Sequence, residues 1–233
     1  MFLNLDFDEY LLVDMNHDLI TLFNLLKTSC DVIIEKSRMY FNGEYNHADA
    51  YYALRAQFNS ATDPIERATL FIYLNRHGYN GLCRYNQKGG YNVPFGRYKH
   101  PYFPEKEMRF FAQRAQTATF VQGDFATAFA QLSIGDVVYC DPPYSPINRT
   151  ANFTAYAGNG FGDDEQARLV ACAQHAQLQG VATVISNHLV PFTKALYKDA
   201  SKQVKFAVQR NISQKGNARG KVKEVLALYM PDK

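Results

Sequence analysis

The chain has 233 residues, enough for one large domain or two small ones, and 47% of them are hydrophobic, so a sizeable core can form. Its formal net charge is only +3, which by itself does not indicate a nucleic-acid partner. The four cysteines are scattered without a C-x-x-C pair, which argues against a disulfide framework or a zinc site and favours a reducing compartment. The sequence shows neither a basic, apolar leader nor a run approaching about 18 apolar residues, so no signal peptide and no membrane span are predicted.

The first predicted strand ends at an acidic residue. Tyr10–Val13 is a short apolar run that stops at Asp14, and Met15–Thr28 carries apolar residues at helical spacing. In folds that bind dinucleotides, an acid at the end of the second strand binds the ribose hydroxyls. Asp14 is therefore either a ribose ligand or an ordinary solvated loop residue, and this segment alone leaves both interpretations open.

Helices are predicted to predominate between residues 31 and 77. One helix covers Ala48–Phe58. The next begins at Asp63-Pro64, because an aspartate side chain can cap the first turn and proline suits the first helical position. That second helix carries apolar residues at Ile65, Leu70 and Ile72, as expected for a helix with a buried face.

Residues 67–104 contain no Asp or Glu, although the whole chain has 22 acidic residues. The window holds nine aromatic residues and six basic ones: Arg67, Arg76, Arg84, Lys88, Arg97 and Lys99. Glycine and asparagine are frequent in it, which predicts loops. Arginine can read guanine edges, asparagine can reach phosphates and bases, and an aromatic ring can insert into a base stack. The pattern favours a nucleic-acid surface over the alternative, a solvated face with aromatic residues packing a hairpin.

A helix is predicted over Glu105–Gln116, with Pro104 at its start. Thr119–Val121 then resembles a strand that continues into Gly123 and Asp124, with the aromatic Phe125 directly after. This is a second acid at the carboxyl end of a strand. Ligands of open α/β sheets bind beyond those ends, so Asp124 is a second candidate site residue.

The next strand is predicted at Val137–Cys140, four apolar residues in a row that are typical of a strand buried on both faces. It continues directly into Asp141-Pro142-Pro143-Tyr144, where proline must end the strand ladder. Asp141 provides a carboxylate, Pro142 and its neighbours provide carbonyls on stiff backbone, and Tyr144 provides a flat aromatic face. This set suits a planar ring with an exocyclic amine, such as adenine; the alternative is a simple Asp-Pro turn.

The remaining segments continue the alternation of helix and strand. A loop is predicted over Ser145–Gly162, and the elements after it are Asp163–Gln179 (helix), Val181–Ile185 (strand), Pro191–Asp199 (helix), Lys202–Gln209 (strand) and Glu224–Met230 (strand). A second acid-free cationic patch covers Ala200–Lys223. The alternation predicts a mostly parallel, three-layer α/β sheet, with the three strand-end acids around one edge of it.

Several motifs resemble one family. Asp141-Pro-Pro-Tyr144 matches the D-P-P-Y signature of S-adenosylmethionine-dependent amino-methyltransferases. Five further segments closely resemble the Dam family of DNA adenine-N6 methyltransferases: residues 73–86, 92–98, 151–156, 186–188 and 226–229. The resemblance covers essentially the whole chain. It implies a Rossmann-like methyltransferase sheet, formed by residues 1–20 and 105–233, with an inserted helical and hairpin target-recognition domain at residues 21–104.

The resemblance also implies roles for individual residues. Asp141 and the Pro142 carbonyl would accept hydrogen bonds from the N6 amine of an adenine flipped out of duplex DNA, and Tyr144 would stack on its ring. Asp14 would hold the ribose of S-adenosylmethionine, and Asp124 with Phe125 would contact the adenine of that cofactor. The DNA-binding residues would be a wedge, Tyr79; base readers for GATC, Asn80, Leu82, Arg84 and Pro94; and phosphate contacts, Arg55, Arg76, Asn86, Asn92 and Arg97.

The sequence departs from the family pattern at its start. The family's W-A-G-G-K segment, first strand and F-x-G-x-G loop are not found, so we expect a chain that is N-terminally truncated relative to the family. Two hypotheses follow: an active DNA adenine methyltransferase, or a catalytically inactive DNA-binding remnant. RNA or protein methylation is a third, which the duplex-reading insert disfavours. The resemblance further implies a monomer that binds double-stranded DNA in the cytoplasm, with no metal and no membrane.

Overall fold

A computed structural model describes residues 2–147, 160–209 and 221–231. Its α-helices are α1 (His17–Arg38), α2 (Ala48–Ser60), α3 (Pro64–His77), α4 (Glu105–Arg114), α5 (Phe125–Phe129), α6 (Asp163–Leu178) and α7 (Pro191–Leu196). Its strands are β1 (Tyr10–Asp14), β2 (Ala118–Gln122), β3 (Val137–Cys140), β4 (Ala182–His188), β5 (Lys202–Gln209) and β6 (Lys221–Tyr229). The α/β class expected from the sequence is confirmed.

Local signals place most of these elements where the sequence predicts them. Asp63 caps α3, since its Oδ1 accepts a hydrogen bond from the Glu66 amide at 2.7 Å, and Pro64 occupies the first turn. Strand β3 has the predicted bounds, and β1 includes Asp14 as its last residue. Helix α1 runs to Arg38, ten residues beyond the predicted Thr28, with a non-helical kink at Ser29.

The chain separates into two compact units, residues 1–124 and 125–233. In the first unit, β1 and β2 form a parallel pair in which Asp14 lies opposite Gln122. This unit has two hydrophobic clusters. The larger one draws its buried residues from 22–108, and the smaller one joins Ile20 and Ala115 to β2. The larger cluster nearly coincides with the predicted target-recognition domain, although the functional division of the chain stays a prediction.

The second unit contains a four-stranded sheet of order β3-β4-β6-β5. Strand β4 is parallel to β3 and antiparallel to β6, and β5 is antiparallel to β6. Helix α6 packs on it through Leu169, Val170 and Ala173. The described strands thus form two sheets with equal numbers of parallel and antiparallel pairings, which differs from the mostly parallel sheet that was expected. Strand β6 causes the difference, because it lies between β4 and β5 and runs antiparallel to both.

The prediction that β3 is buried on both faces is wrong. Val137 and Tyr139 are 51% and 42% exposed, whereas Val138 and Cys140 are partly buried. Within the described residues β3 pairs only with β4, so it lies at an edge of its sheet. An apolar run does not distinguish an edge strand from a central one, because edge position depends on pairing with distant segments.

Three of the predicted features lie wholly or partly outside the described residues: the motif at 151–156, residues 148–159 of the predicted loop, and residues 210–220 of the second cationic patch. Among the helices that the structure describes, none is long and apolar enough to cross a membrane. Within residues 2–147, 160–209 and 221–231, no group of three or more His, Cys, Asp or Glu side chains is arranged to hold a metal ion.

Candidate functional site

The Asp141–Tyr144 loop leaves β3 at its carboxyl end, and its acid is held by β4. The Ser186 hydroxyl donates to Asp141 Oδ1 at 2.8 Å, and the Cys140 carbonyl lies 3.2 Å from the same hydroxyl. A charged acceptor binds the single hydroxyl proton more strongly than a neutral carbonyl does. Asp141 itself is exposed, and Pro142 beside it is buried. One carboxylate oxygen is therefore oriented by the protein, and the side chain still faces solvent.

Tyr144 is half-buried and its ring is positioned by an aromatic contact. The imidazole of His188 meets it edge-on, with ring centroids 4.8 Å apart and an interplanar angle of 86°. Burial raises the pKa of the Tyr144 phenol above its usual value, and the Ser186 hydroxyl opposes that effect. The phenol is therefore neutral at physiological pH, so the ring carries no charge that would repel an electron-rich base.

Two buried amides hold the backbone of this loop. Gln166 of α6 donates from Nε2 to the Pro143 carbonyl at 2.7 Å. Asn187 of β4 accepts on Oδ1 from the Ser145 amide at 2.8 Å and donates from Nδ2 to Gln166 Oε1 at 3.1 Å and to the Tyr197 hydroxyl at 3.0 Å. The carbonyl of Pro143 is thus already hydrogen-bonded within the protein, whereas the predicted acceptor is the carbonyl of Pro142.

The strand-end acids Asp14 and Asp124 lie at the same edge of the β1–β2 pair. Asp14 is exposed, its Oδ1 accepts from the Asn16 amide at 2.7 Å, and its backbone carbonyl accepts from the Gly123 amide at 3.1 Å. Asp124 is the next residue along the chain. Two acids at the carboxyl ends of paired parallel strands match the arrangement expected for a nucleotide-like ligand. Asp141 follows β3, which belongs to the other sheet.

Phe125 opens the short helix α5 and is covered by side chains of its own unit. The Arg168 guanidinium lies 4.0 Å from the centre of the ring, and the ring centroid of Phe161 is 5.8 Å away. An arginine over an aromatic face is a favourable cation–π contact. The ring is held in place by these two neighbours rather than left mobile.

The reader segment, residues 78–98, is an irregular hairpin. Its two sides are joined by an isolated bridge between Gly78 and Phe95 and by a second one between Tyr85 and Tyr91. The backbones cross closely at one point, where a Cβ on Gly96 would lie 2.8 Å from the Gly78 carbonyl, so glycine is required there. The hairpin turns at Asn86, whose Oδ1 accepts from the Lys88 and Gly90 amides at 2.9 and 3.0 Å.

Three of the predicted base readers are exposed on this hairpin: Leu82, Arg84 and Pro94. The Arg84 guanidinium is oriented by Asn92, because its Nε donates to Asn92 Oδ1 at 2.7 Å and its Nη2 to the Asn92 carbonyl at 3.1 Å. A guanidinium held on one side can present its remaining N–H groups in a fixed direction, as bidentate base contacts require. Asn92, predicted as a phosphate contact, thus also supports Arg84.

The other predicted DNA-binding residues have varied environments. Arg55 and Arg76 each donate to a backbone carbonyl, of Val93 at 2.9 Å and of Tyr102 at 3.0 Å. Each guanidinium has five N–H groups, so these bonds leave donors for other partners. Tyr79 packs partly against the larger hydrophobic cluster. Asn80 and Arg97 adopt positive φ angles of 55° and 56° at bends of the hairpin, where asparagine is readily tolerated.

Arg67, counted in the cationic window, is not part of a free cationic surface. Its Nε and Nη2 donate to the two oxygens of Asp18 at 2.9 and 3.1 Å, and the Tyr85 hydroxyl donates to Asp18 Oδ2 at 2.6 Å. Asp18 is only 7% exposed. The acid-free window therefore contributes one of its six basic side chains to a buried ion pair, which joins α3 to α1 and anchors the hairpin through Tyr85.

The sequence motifs did not identify the residues that hold the site. Ser186 and Asn187 lie in a segment that was noted for its resemblance to the family, but no role was assigned to them. Gln166 carries no signal in the sequence, because a glutamine within a helix is usually solvated. Only its 3% exposure and its two hydrogen bonds distinguish it.

Known proteins resemble this chain over nearly its whole length. A family model described as D12 class N6 adenine-specific DNA methyltransferase matches residues 1–212. A DNA adenine methylase of Vibrio cholerae serotype O1 is 50% identical over 232 residues, which cover 99% of this chain and 83% of that protein. The DNA adenine methylase of Escherichia coli strain K12 is 48% identical over 231 residues, with coverages of 99% and 83%. The resemblance that the motifs indicated is confirmed.

One solved structure, described as the delta-N METTL16 MTase domain, aligns with 58% of this chain and 59% of its own. The sequence identity is 14% and the TM-score is 0.35. At that level the alignment adds nothing to what the strands and helices already show, so the family and its chemistry rest on the sequence relatives.

Proposed function

The chain belongs to the D12 class N6 adenine-specific DNA methyltransferase family, and we propose that it transfers a methyl group from S-adenosylmethionine to N6 of an adenine flipped out of GATC in duplex DNA. Its relatives are DNA adenine methylases, so it is an enzyme of DNA methylation. The observation that carries the finer proposal is the Asp141–Tyr144 loop, whose acid, carbonyl and ring are held by β4 and α6. The family resemblance is also the reason to propose a cytoplasmic location and action as a monomer on double-stranded DNA.

Asp141 and Pro142 are the proposed acceptors for the N6 amine. Ser186 donates a hydrogen bond to Asp141 Oδ1, and Gln166 donates one to the Pro143 carbonyl. This supports Asp141 Oδ2 and the Pro142 carbonyl as the acceptors that bind the substrate amine. Two acceptors on the amine hydrogens would turn the nitrogen lone pair out of conjugation with the ring and towards the methyl donor. Orientation of this kind, together with exclusion of water, accounts for most of the rate in such reactions.

Tyr144 is the proposed stacking platform for the flipped base. Unstacking and unpairing a base costs a few kcal/mol, which a stacking contact in the pocket partly offsets. The T-shaped contact with His188 supports this role, because perpendicular rings engage at most one of the two faces of the tyrosine ring. The other face is the one proposed to stack on a planar adenine.

S-adenosylmethionine, when bound, supplies the electrophilic methyl group. Asp14 and Asp124 fit such a cofactor in chemistry and in placement, since both follow parallel strands at one sheet edge and a carboxylate there can accept hydrogen bonds from ribose hydroxyls. Phe125, held by Arg168, would contact the cofactor adenine.

Sequence reading is proposed to come from the exposed side chains of the reader segment. Arg84 would contact a guanine edge, and Leu82 and Pro94 would provide apolar contacts such as that with a thymine methyl group. Asn80 would be a further base reader, and Tyr79 would fill the space in the duplex. The phosphate contacts would come from the following residues: Arg55, Arg76, Asn86, Asn92 and Arg97.

The test measures transfer of a labelled methyl group to a GATC duplex by the 233-residue chain and by Asp141→Ala and Tyr144→Ala. We expect each variant to lose at least about 100-fold in kcat while retaining DNA affinity, because each removes a group that acts on the flipped base. Asp136→Ala is the matched control. Asp136 lies at the other end of β3 and its carboxylate accepts only a local turn bond from the Ser133 amide, so kcat should be unchanged.

The results separate the proposal from its alternative. Methylation that survives at the wild-type rate in Asp141→Ala would show that the pocket assignment is wrong. A chain that binds GATC duplexes but transfers no methyl group would instead be the inactive DNA-binding remnant.

A further inference from the structure

The peptide groups on both sides of Tyr144 are hydrogen-bonded to the same pair of side chains. The carbonyl before Tyr144, that of Pro143, accepts from Gln166 Nε2 at 2.7 Å. The amide after it, that of Ser145, donates to Asn187 Oδ1 at 2.8 Å. Because a residue's Cα–Cβ direction is set by its two flanking peptide planes, these two bonds determine where the Tyr144 ring can lie.

The two amides have only one satisfactory orientation. The Pro143 carbonyl can only accept, so Gln166 must present its nitrogen there and its oxygen to Asn187. The Ser145 and His188 amides can only donate, at 2.8 and 2.9 Å, so Asn187 must present its oxygen to them. Its nitrogen then faces Gln166 Oε1 and the Tyr197 hydroxyl. The backbone groups of Pro143, Ser145 and His188 thus determine which way each side-chain amide is oriented.

The network is buried, which makes alternative arrangements costly. Gln166 is 3% exposed, Asn187 0% and Tyr197 1%. A buried polar group that loses its partner costs about 1–3 kcal/mol, so a flipped amide would leave several groups unsatisfied. A buried network in which each of these side chains has a hydrogen-bond partner makes a structure rigid.

We propose that Gln166 and Asn187 are positioning residues that hold the Tyr144 ring in its stacking orientation through the two peptide groups beside it. The proposal rests on the function proposed for Tyr144 and adds two residues to it. Neither residue is expected to touch the substrate. Their role is to convert a Pro-Pro turn into a loop with one geometry.

The first test is Gln166→Met, which keeps the volume and removes both polar atoms. We expect kcat to fall about 100-fold, the size of effect that a displacement of about 1 Å at a reacting group produces, while DNA affinity is unchanged. Gln177→Met is the matched control. Gln177 lies on the same helix and its Nε2 likewise donates to a backbone carbonyl, that of Met230 at 2.7 Å, but it is three turns away from the loop. It should leave kcat unchanged.

A spectroscopic signature separates positioning from general destabilisation. A duplex with 2-aminopurine at the target adenine is bound by each variant, and its emission is recorded. The probe is quenched when it stacks on an aromatic ring, so Tyr144→Ala should raise its emission. Gln166→Met should raise it in the same direction, at a temperature where both variants are folded by circular dichroism. Emission equal to that of the wild-type complex would contradict the proposal.

The second variant, Gln166→Glu, tests the hydrogen-bond polarity. A protonated glutamic acid has one donor and one acceptor and can replace the amide, whereas a carboxylate would face the Pro143 carbonyl without a donor. The activity relative to wild type should therefore be near normal at low pH and fall as the pH rises, since the acid functions only below its pKa. The other titratable side chains near this network are His188, Tyr197 and Asp141. The wild type and the Gln166→Glu variant both carry them, so dividing the variant's activity by that of the wild type at each pH removes their contribution.

The outcomes distinguish this proposal from the function on which it rests. If Tyr144→Ala transfers methyl groups normally, the role proposed for Tyr144 is wrong, whatever the Gln166 variants show. If Tyr144→Ala is inactive but Gln166→Met matches Gln177→Met, the positioning role is wrong while the function stands. A ratio for Gln166→Glu that does not change between about pH 6 and 9 would also overturn it.

Discussion

The Asp141–Tyr144 loop is held by side chains of distant elements, whereas the reader segment combines side-chain bonds from α2 with bonds between its own backbone groups. Gln166, Ser186 and Asn187 each donate to or accept from the loop, and all three are buried. In the reader segment, the Tyr79 amide donates to the Pro94 carbonyl, and the Asn92 amide to that of Arg84, at 2.8 and 3.0 Å. The difference follows from what each must present. A loop that uses its backbone as part of the site needs that backbone fixed from outside, whereas a hairpin that presents side chains can also use part of its backbone for bonds within itself.

The reader segment has several side-chain anchors: the buried Tyr51 hydroxyl of α2 donates to the Val93 carbonyl at 3.0 Å, and Asn59 of α2 bonds to both backbone groups of Tyr91. Tyr85 donates to Asp18 of α1, which is also paired with Arg67 of α3. His77, at the end of α3, contributes its carbonyl to the Gly96 amide at 2.8 Å. Tyr85 adjoins the turn at Asn86 and His77 lies at the base, so the two contacts anchor opposite ends of the hairpin. Substitutions of Asp18 and His77 test how far stability depends on these contacts, and a substitution of Arg84 tests the reading of bases.

The largest effect is expected for Asp18→Asn, which leaves Arg67 without its charge partner and places an N–H group against a donor. Removing one partner of a buried ion pair costs about 3–5 kcal/mol in the free energy of unfolding. The measurement is urea unfolding at neutral pH, where the midpoint should fall clearly. The control is Asp31→Asn, because Asp31 is exposed, pairs with Arg109 at the surface and should lose less than about 1 kcal/mol.

If Asp18→Asn and Asp31→Asn unfold at the same urea concentration, the buried pair does not anchor the hairpin. The backbone bridges and the α2 side chains bonded to Tyr91 and Val93 would then hold it.

The second effect concerns pH. His77 is 1% exposed, and burial lowers its pKa from 6.5 to about 4, while its bond to the Tyr73 carbonyl partly opposes that shift. The unfolded chain therefore binds a proton between pH 6.5 and about 4 that the folded chain excludes, so stability is lost as the pH falls through that range. The full effect is on the order of 3 kcal/mol.

The measurement is the free energy of unfolding against pH for the wild type and for His77→Gln, which does not titrate. We expect a flatter profile between pH 6.5 and 4 in the variant. His100→Gln, at an exposed position, should keep the wild-type slope. Parallel profiles for wild type and His77→Gln would mean that other groups cause the acid instability.

The smallest effect is expected for Arg84→Ala, since it removes one contact of many. Discrimination between GATC and a duplex altered at the base read by Arg84 should fall by about 1–3 kcal/mol. Affinities are compared for the two duplexes at one salt concentration. Arg109→Ala, an exposed arginine outside the hairpin, is the control. Equal weakening on both duplexes would make Arg84 a phosphate contact.

A substitution of Asn92 is a further test of how Arg84 reads the DNA. Because Asn92 orients the Arg84 guanidinium, its own substitution should reproduce part of the loss of discrimination rather than only reduce affinity.

Local sequence signals were sufficient for most elements and for the proposed site residues. The cap Asp63-Pro64, the strand Val137–Cys140 and the Pro-Pro stop after it depend on neighbours in the chain, so they could be predicted without a fold. The family followed from motifs that are contiguous in sequence. The roles of Asp14, Asp124 and Asp141 stay predictions, although the structure places the first two at one sheet edge.

The predictions that failed all depended on distant partners. The exposure of Val137 and Tyr139 depends on which strands flank β3, and the fate of Arg67 depends on an acid 49 residues earlier in the chain. Neither relation leaves a local pattern. The same applies to the split into two sheets, since alternation of strands and helices does not specify which strands pair.

By itself, the sequence determined the α/β class, the family and the chemistry of the Asp141–Tyr144 loop, because residue type and short spacing carry that information. Only the tertiary structure decided which polar groups of the loop are already hydrogen-bonded within the protein. Gln166 lies 23 residues from the Pro143 carbonyl that it holds, and Asn187 lies 42 residues from the Ser145 amide. Hydrogen bonds over such separations form only when the sheet and helix α6 have packed. The two side chains that hold Tyr144 therefore could not be recognised from the sequence.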